Sequence, residues 1–118
     1  MKETNNSLIE SVSSGKIQYQ AKWYEKSLII GIDKIIYPWK HPDVADLDIS
    51  DFETVFDGNT EVILLGTGAK QVFPDGYLLN KILTKGVGIE VMDSISACRT
   101  FNLLVSEYRR PLAMLMLE

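Results

Sequence analysis

One cysteine and one histidine among 118 residues leave little room for thiol or imidazole chemistry. A lone Cys98 cannot form an internal disulfide, which points to a reducing compartment. His41 has no second histidine and no cysteine pair with which to share an ion, so no metal site is expected. Positive charge is also scarce: 12 Lys and Arg against 16 Asp and Glu give a net charge of −4, which argues against a nucleic-acid-binding face. No apolar run approaches the ~20 residues of a membrane helix, and residues 1–15 lack the apolar centre of a secretion signal. Together these absences predict a cytoplasmic address with no membrane insertion.

What is present is ordinary for a folded domain. A chain of this length can bury roughly two-thirds of its unfolded surface, enough for one core without a staple. Residues 1–15 are rich in Ser, Asn and Glu and read as a flexible N-terminal arm, leaving residues 16–118 as a single α/β domain.

The most informative run is Glu61 to Ala69, in which Val62-Ile63-Leu64-Leu65 carries no polar alternation and ends in Gly66-Thr67-Gly68. Such a run predicts a strand covered on both faces, opening into a tight turn at its carboxyl end. Upstream, Ile17, Tyr19, Ala21 and Trp23 alternate with polar residues and read as one strand. Leu28–Ile32 and Ile35–Tyr37 follow as β segments of an antiparallel amino-terminal unit. Trp39 to Asp48 reads as a loop, after which Ser50 caps a short helix.

Downstream, Pro74 and Asp75 open a helix with Leu78, Leu79, Ile82 and Leu83 on one stripe, stopped by Gly86. Gly88–Met92 is a strand whose Glu90 marks an edge. Ser94 caps a last helix on which Ala97, Cys98, Phe101, Leu104, Val105 and Tyr108 share one arc. Leu112–Leu117 is wholly apolar and is expected in the middle of the sheet. The alternation of strand and helix after residue 62 predicts at least one right-handed parallel crossover.

Two groups of residues are candidates for ligand chemistry. The Gly66-Thr67-Gly68 turn can offer backbone N–H groups to an anion, with Lys70 beside it, at the strand end where open α/β sheets bind ligands. Asp93, closing the next strand, stands where a dinucleotide ribose would sit. Gln71 in place of a third glycine and the late helix start at Pro74 count against that cofactor, so none is assigned. Arg99 and Asn102 lie on one face of the last helix and, with Asp93, form a second candidate set for a carboxylate or phosphate. Against both stands the plain reading of a structural turn and a solvated helix face. No Ser/His or Cys/His pair is spaced for nucleophilic catalysis, and the acidic residues between Asp43 and Asp57 lack the glycine and glutamate of a calcium loop. Trp23, Tyr24, Tyr37 and Trp39 read as core or rim packing.

Three ordered blocks carry a resemblance. Leu65-Gly66-Thr67-Gly68-Ala69-Lys70-Gln71 with Phe73-Pro74, Gly86 to Asp93, and Ala97-Cys98-Arg99-Thr100-Phe101-Asn102 resemble a family of domains of unknown function. Its relatives include the mitochondrial respiratory complex I assembly factor 3 and the adipogenesis-associated domain-containing protein. The resemblance runs from about Gly15 to Leu117. It implies a three-layer α/β domain on a mixed sheet of about five strands, with the C-terminal strand central and antiparallel to its neighbours. It brings no catalytic set and suggests a bacterial-type member. The expected function is a non-catalytic binding or assembly module with a protein partner. The alternative is a domain for a small anionic ligand, enzymatic or not, at the 66–68 turn and Arg99.

Overall fold

The computed structural model describes residues 8–13 and 15–117. Its centre is built from two of the apolar runs. Strand β6 (Val62–Gly66) and strand β8 (Pro111–Leu115) lie side by side in parallel, and every residue of both is buried. On one side β6 pairs in parallel with β7 (Gly88–Met92); on the other, β8 pairs antiparallel with β4 (Leu28–Gly31), which pairs antiparallel with β5 (Lys34–Ile36). The five-stranded order is therefore β5-β4-β8-β6-β7. The tail strand is central, as its composition predicts, but it runs antiparallel to β4 alone and parallel to β6, which corrects the orientation implied by the resemblance. A helical connection explains this: a strand–helix–strand crossover returns the chain in the same direction.

Two such crossovers run in opposite directions along the sheet. From β6 the chain passes through helix α2 (Gly76–Leu83) to β7, then through helix α3 (Ser94–Ser106) back across β6 to β8. With right-handed connections, a reversal of direction places the two helices on opposite faces. The buried residues separate accordingly. Val62, Leu64, Ala113, Leu115, Leu28 and Ile30 pack with Ala97, Cys98, Phe101 and Val105 of α3. Their alternates Ile63, Leu65, Leu112, Met114 and Ile29 pack with Leu78 and Ile82 of α2 and with Phe52. Phe52 belongs to the short helix α1 (Ser50–Glu53). Because both faces are covered, the central strands have no polar position, and this produces three layers.

The α3 layer is completed by a three-stranded antiparallel sheet, β1 (Ile9–Ser13), β2 (Lys16–Tyr19) and β3 (Lys22–Tyr24), which contributes Ile9, Ile17, Tyr19 and Tyr24 to that core. Three expectations change here. The stretch read as a flexible arm is a paired strand over Ile9–Ser13, with Ile9 buried; the arm's first seven residues lie outside the described residues. The stretch read as one strand over 17–23 is a hairpin that turns at Gln20 and Ala21, both at positive φ (53° and 67°). Two successive left-handed residues are the geometry of a type I′ turn, which reverses the chain and resets the alternation. Trp23 therefore faces outward under the Lys16 ammonium, 4.6 Å from its ring centroid, and Tyr24 faces in. Strands β4 and β5 belong to the large sheet rather than to this amino-terminal unit.

Local details also shift. Ile49, not Ser50, is the N-cap of α1, and the Ser50 hydroxyl donates instead to Asp48 (3.1 Å). On α2 only Leu78 and Ile82, one turn apart, are buried, while Leu83 faces solvent. Strand β7 is the edge that Glu90 predicted, and the Gln71 side-chain amide reaches over to donate to Val91 O (2.9 Å).

Candidate functional site

The carboxyl ends of β6 and β7 bring the glycine turn and the start of α3 onto one rim, and that rim is closed. Thr67 N–H donates to Met92 O (2.9 Å), Ser94 N–H to Gly68 O (2.9 Å) and Gly68 N–H to the Ser94 hydroxyl (2.9 Å). Ser94 in turn donates to Met116 O (2.6 Å), joining the ends of three strands through one buried oxygen. Ser94 is thus not the helix cap. That role belongs to Asp93, whose carboxylate accepts from Ser96 N–H (2.8 Å) and from the Ser96 hydroxyl (2.9 Å). These bonds to Ser96 hold the Asp93 carboxyl below its ordinary range.

Gly66 and Gly68 have separate reasons to be glycine. A Cβ on Gly66 would stand 2.9 Å from Ser94 Cα, so α3 can seat against β6 only without one. Gly68 lies at φ 93°, a conformation that side chains disfavour. The Thr67 hydroxyl organises the loop that follows, donating to Lys70 O (2.5 Å) and accepting from Val72 N–H (3.0 Å).

The predicted site residues therefore divide. Gly66, Thr67, Gly68 and Asp93 meet at the rim, but the N–H groups of Thr67 and Gly68, on which the anion reading depends, already donate within the protein. Lys70 and Arg99 are exposed. Asn102 stands nine residues beyond Asp93, about 13 Å along the helix, and is fully engaged elsewhere. Its Oδ1 accepts from Ile9 N–H (2.7 Å) and its Nδ2 donates to Ile9 O (2.9 Å), so it clamps β1 onto α3.

A different constellation forms at the same end of the large sheet, on the β4 side of β8, from residues that local periodicity does not connect. The β4–β5 hairpin folds the chain back so that Trp39 N–H donates to Ser27 O (2.7 Å), and His41 then reaches Ser27. His41 Nε2 lies 2.9 Å from Ser27 Oγ, His41 Nδ1 lies 2.8 Å from Pro42 O, and Leu117 N–H donates to Ser27 Oγ (2.9 Å). The Trp39 ring, itself buried, lies against the imidazole with centroids 4.5 Å apart. These groups line a groove of about 460 Å³ with Lys26, Lys40 and Glu25 at its mouth. A fourteen-residue separation gives no motif, and only the hairpin makes the pair.

Architecture and rim together define a three-layer α/β domain on a mixed five-stranded sheet, and known proteins share it. A Bordetella parapertussis protein of known crystal structure superposes with a TM-score of 0.84 at 26% identity, over 94% of this chain and 95% of its own. The chain belongs to the protein family of unknown function DUF498/DUF598, which matches residues 9–116. Among curated relatives, the "13 kDa major membrane protein" of Francisella tularensis is 36% identical over 73% of this chain and 71% of that one. The "NADH dehydrogenase [ubiquinone] 1 alpha subcomplex assembly factor 3" of Xenopus tropicalis is 34% identical over 66% of this chain, but the match spans only 44% of the assembly factor.

Proposed function

We propose that this chain is a binding or assembly module that docks an extended segment of a partner protein along strand β5. The observation that carries the reading is the free edge of the large sheet. Among the described residues β5 pairs only with β4, and Ile35 (36% exposed), Ile36 (36%) and Tyr37 (42%) form a contiguous apolar run there. An unpaired edge supplies main-chain donors and acceptors, and flanking apolar side chains supply affinity, the recipe for adding a strand from a partner. The assembly-factor name of several relatives supports a protein partner. Trp39, three residues beyond β5, is buried and takes no part in this face. The alternative, an anion at the glycine turn, is weakened because the donors there are already in use.

We further assign the chain a cytoplasmic address, attached to a membrane only through its partner. No helix among the described residues is long and apolar enough to cross a bilayer, yet one relative is named as a membrane protein.

The test is site-specific photo-crosslinking in the cells that make the protein, with benzoylphenylalanine replacing Ile36 or, as a control, the exposed Leu103 on α3. A discrete adduct from position 36 and none from position 103 is expected. No adduct, or the same adducts from both positions, would overturn the β5 assignment.

A further inference from the structure

We propose that Ser27 and His41 form a nucleophile–base pair that accepts the acyl group of a small ester, with an anionic end of the substrate lying near Lys26 and Lys40. The hydrogen-bond geometry fixes the roles. Pro42 O can only accept, so the Nδ1 atom 2.8 Å from it carries the proton, and Nε2 is left as an acceptor. The Ser27 hydroxyl, 2.9 Å from Nε2, must then donate to it, while its lone pair receives Leu117 N–H. Nucleophile, base and a third group orienting the base are thereby in place, the arrangement that activates serine in acyl transfer. Contact with Trp39 and the bond to Pro42 hold the imidazole on its face and at its far edge.

The surroundings suit a substrate. Ser27 lines an open groove of about 460 Å³, whose apolar wall is Trp39 and Leu117 and whose mouth carries two lysines against one glutamate. That volume matches a small ligand. In the reaction Ser27 Oγ bonds to the ester carbonyl carbon as its proton passes to His41 Nε2. The carbon–oxygen bond to the alcohol then breaks, and the alcohol departs with that proton. Water attacks the acyl-serine, giving its proton to Nε2; cleavage of the acyl–Oγ bond returns the proton to Ser27 and releases the carboxylic acid. This inference is independent of docking at β5, and either can fail alone.

The test uses the full chain with a fluorophosphonate probe, read by intact mass and peptide mapping, together with hydrolysis of p-nitrophenyl acetate. Label on Ser27 and a hydrolysis rate at least tenfold lower both in Ser27→Ala and in His41→Gln are expected. Ser27→Ala also leaves the Leu117 N–H without its acceptor, so Ser27→Cys provides a second reading that keeps a nucleophile in place. Its thiol should be alkylated by iodoacetamide at least tenfold faster than in Ser27→Cys/His41→Gln. Label on other residues or none, hydrolysis by folded Ser27→Ala at the wild-type rate, or equal alkylation with and without His41 would overturn the assignment.

Discussion

Replacing Gly66 with alanine tests whether the closed rim holds the fold together. The added Cβ would sit 2.9 Å from Ser94 Cα, 2.9 Å from Ser94 Oγ and 3.1 Å from Ala97 Cβ. Carbon atoms prefer about 3.5–4.0 Å, so the first turn of α3 must retreat by roughly half an ångström or more, and backbone cannot swing aside as a side chain can. Overpacking of this kind costs about 1–3 kcal/mol. The retreat also stretches Gly68 N–H to Ser94 Oγ and Ser94 N–H to Gly68 O, each worth about 1 kcal/mol. Against this, alanine restricts the unfolded chain and returns about 0.4–1 kcal/mol. The net loss is about 2–3 kcal/mol, or roughly 8–15 °C in Tm for a chain of this size. Urea unfolding followed by tryptophan fluorescence reads it, with Gly58→Ala and Gly76→Ala as controls, because a Cβ at either position meets nothing within 4 Å. A Gly66→Ala protein within about 0.5 kcal/mol of wild type would refute the close-approach argument.

Two further outcomes follow from the same structure. Asn102→Ala removes both bonds to Ile9 and should cost about 1–2 kcal/mol. Amide exchange should quicken in β1 and β2 more than in β6, and uniform quickening would show that the clamp is not local. The buried Cys98 thiol is pushed up to about 12 from an ordinary 9.0 by desolvation and, secondarily, by the Asp93 charge. A raised folded value means that its contribution is whole below pH 9 and is lost as pH climbs from 9 toward 12, by up to about 1.4 kcal/mol per pH unit. Wild type should therefore lose stability faster than Cys98→Ala over that window. Parallel urea midpoints for the two proteins would contradict this.

The parts of the fold that were legible in sequence are those whose burial is total or one-sided along a continuous segment. Val62–Leu65 and Leu112–Leu115 carry no polar residue because each of their faces meets a core, and Glu90 betrays the edge of β7. The arc on α3 was visible for the same reason as far as Val105, but Tyr108, read as part of it, lies beyond the helix end at φ 61° and is exposed. Strand β1 was not, since it is held by an asparagine 93 positions away and buries little of its own surface. The β2–β3 turn was hidden because Gln20 and Ala21 adopt positive φ without the glycine or asparagine that normally signals it. Of the candidate site, the meeting of the 66–68 turn with Asp93 was readable from topology. The prior use of its N–H groups was not, because it depends on a single hydroxyl, Ser94, whose position looked like that of a cap. Ser27 and His41 lacked any local pattern, their meeting being a product of hairpin geometry alone.

The Gln71 amide laid over Val91 O has a consequence for how copies of this protein can associate. One border of the large sheet carries this stopper together with the charge of Glu90, whereas the opposite border is apolar and open. Endless stacking of sheets needs two receptive borders, because each new copy must be both guest and host. With only one, an encounter between two large sheets terminates after a single event. Removing the glutamine would leave Glu90 alone to guard the second border of that sheet.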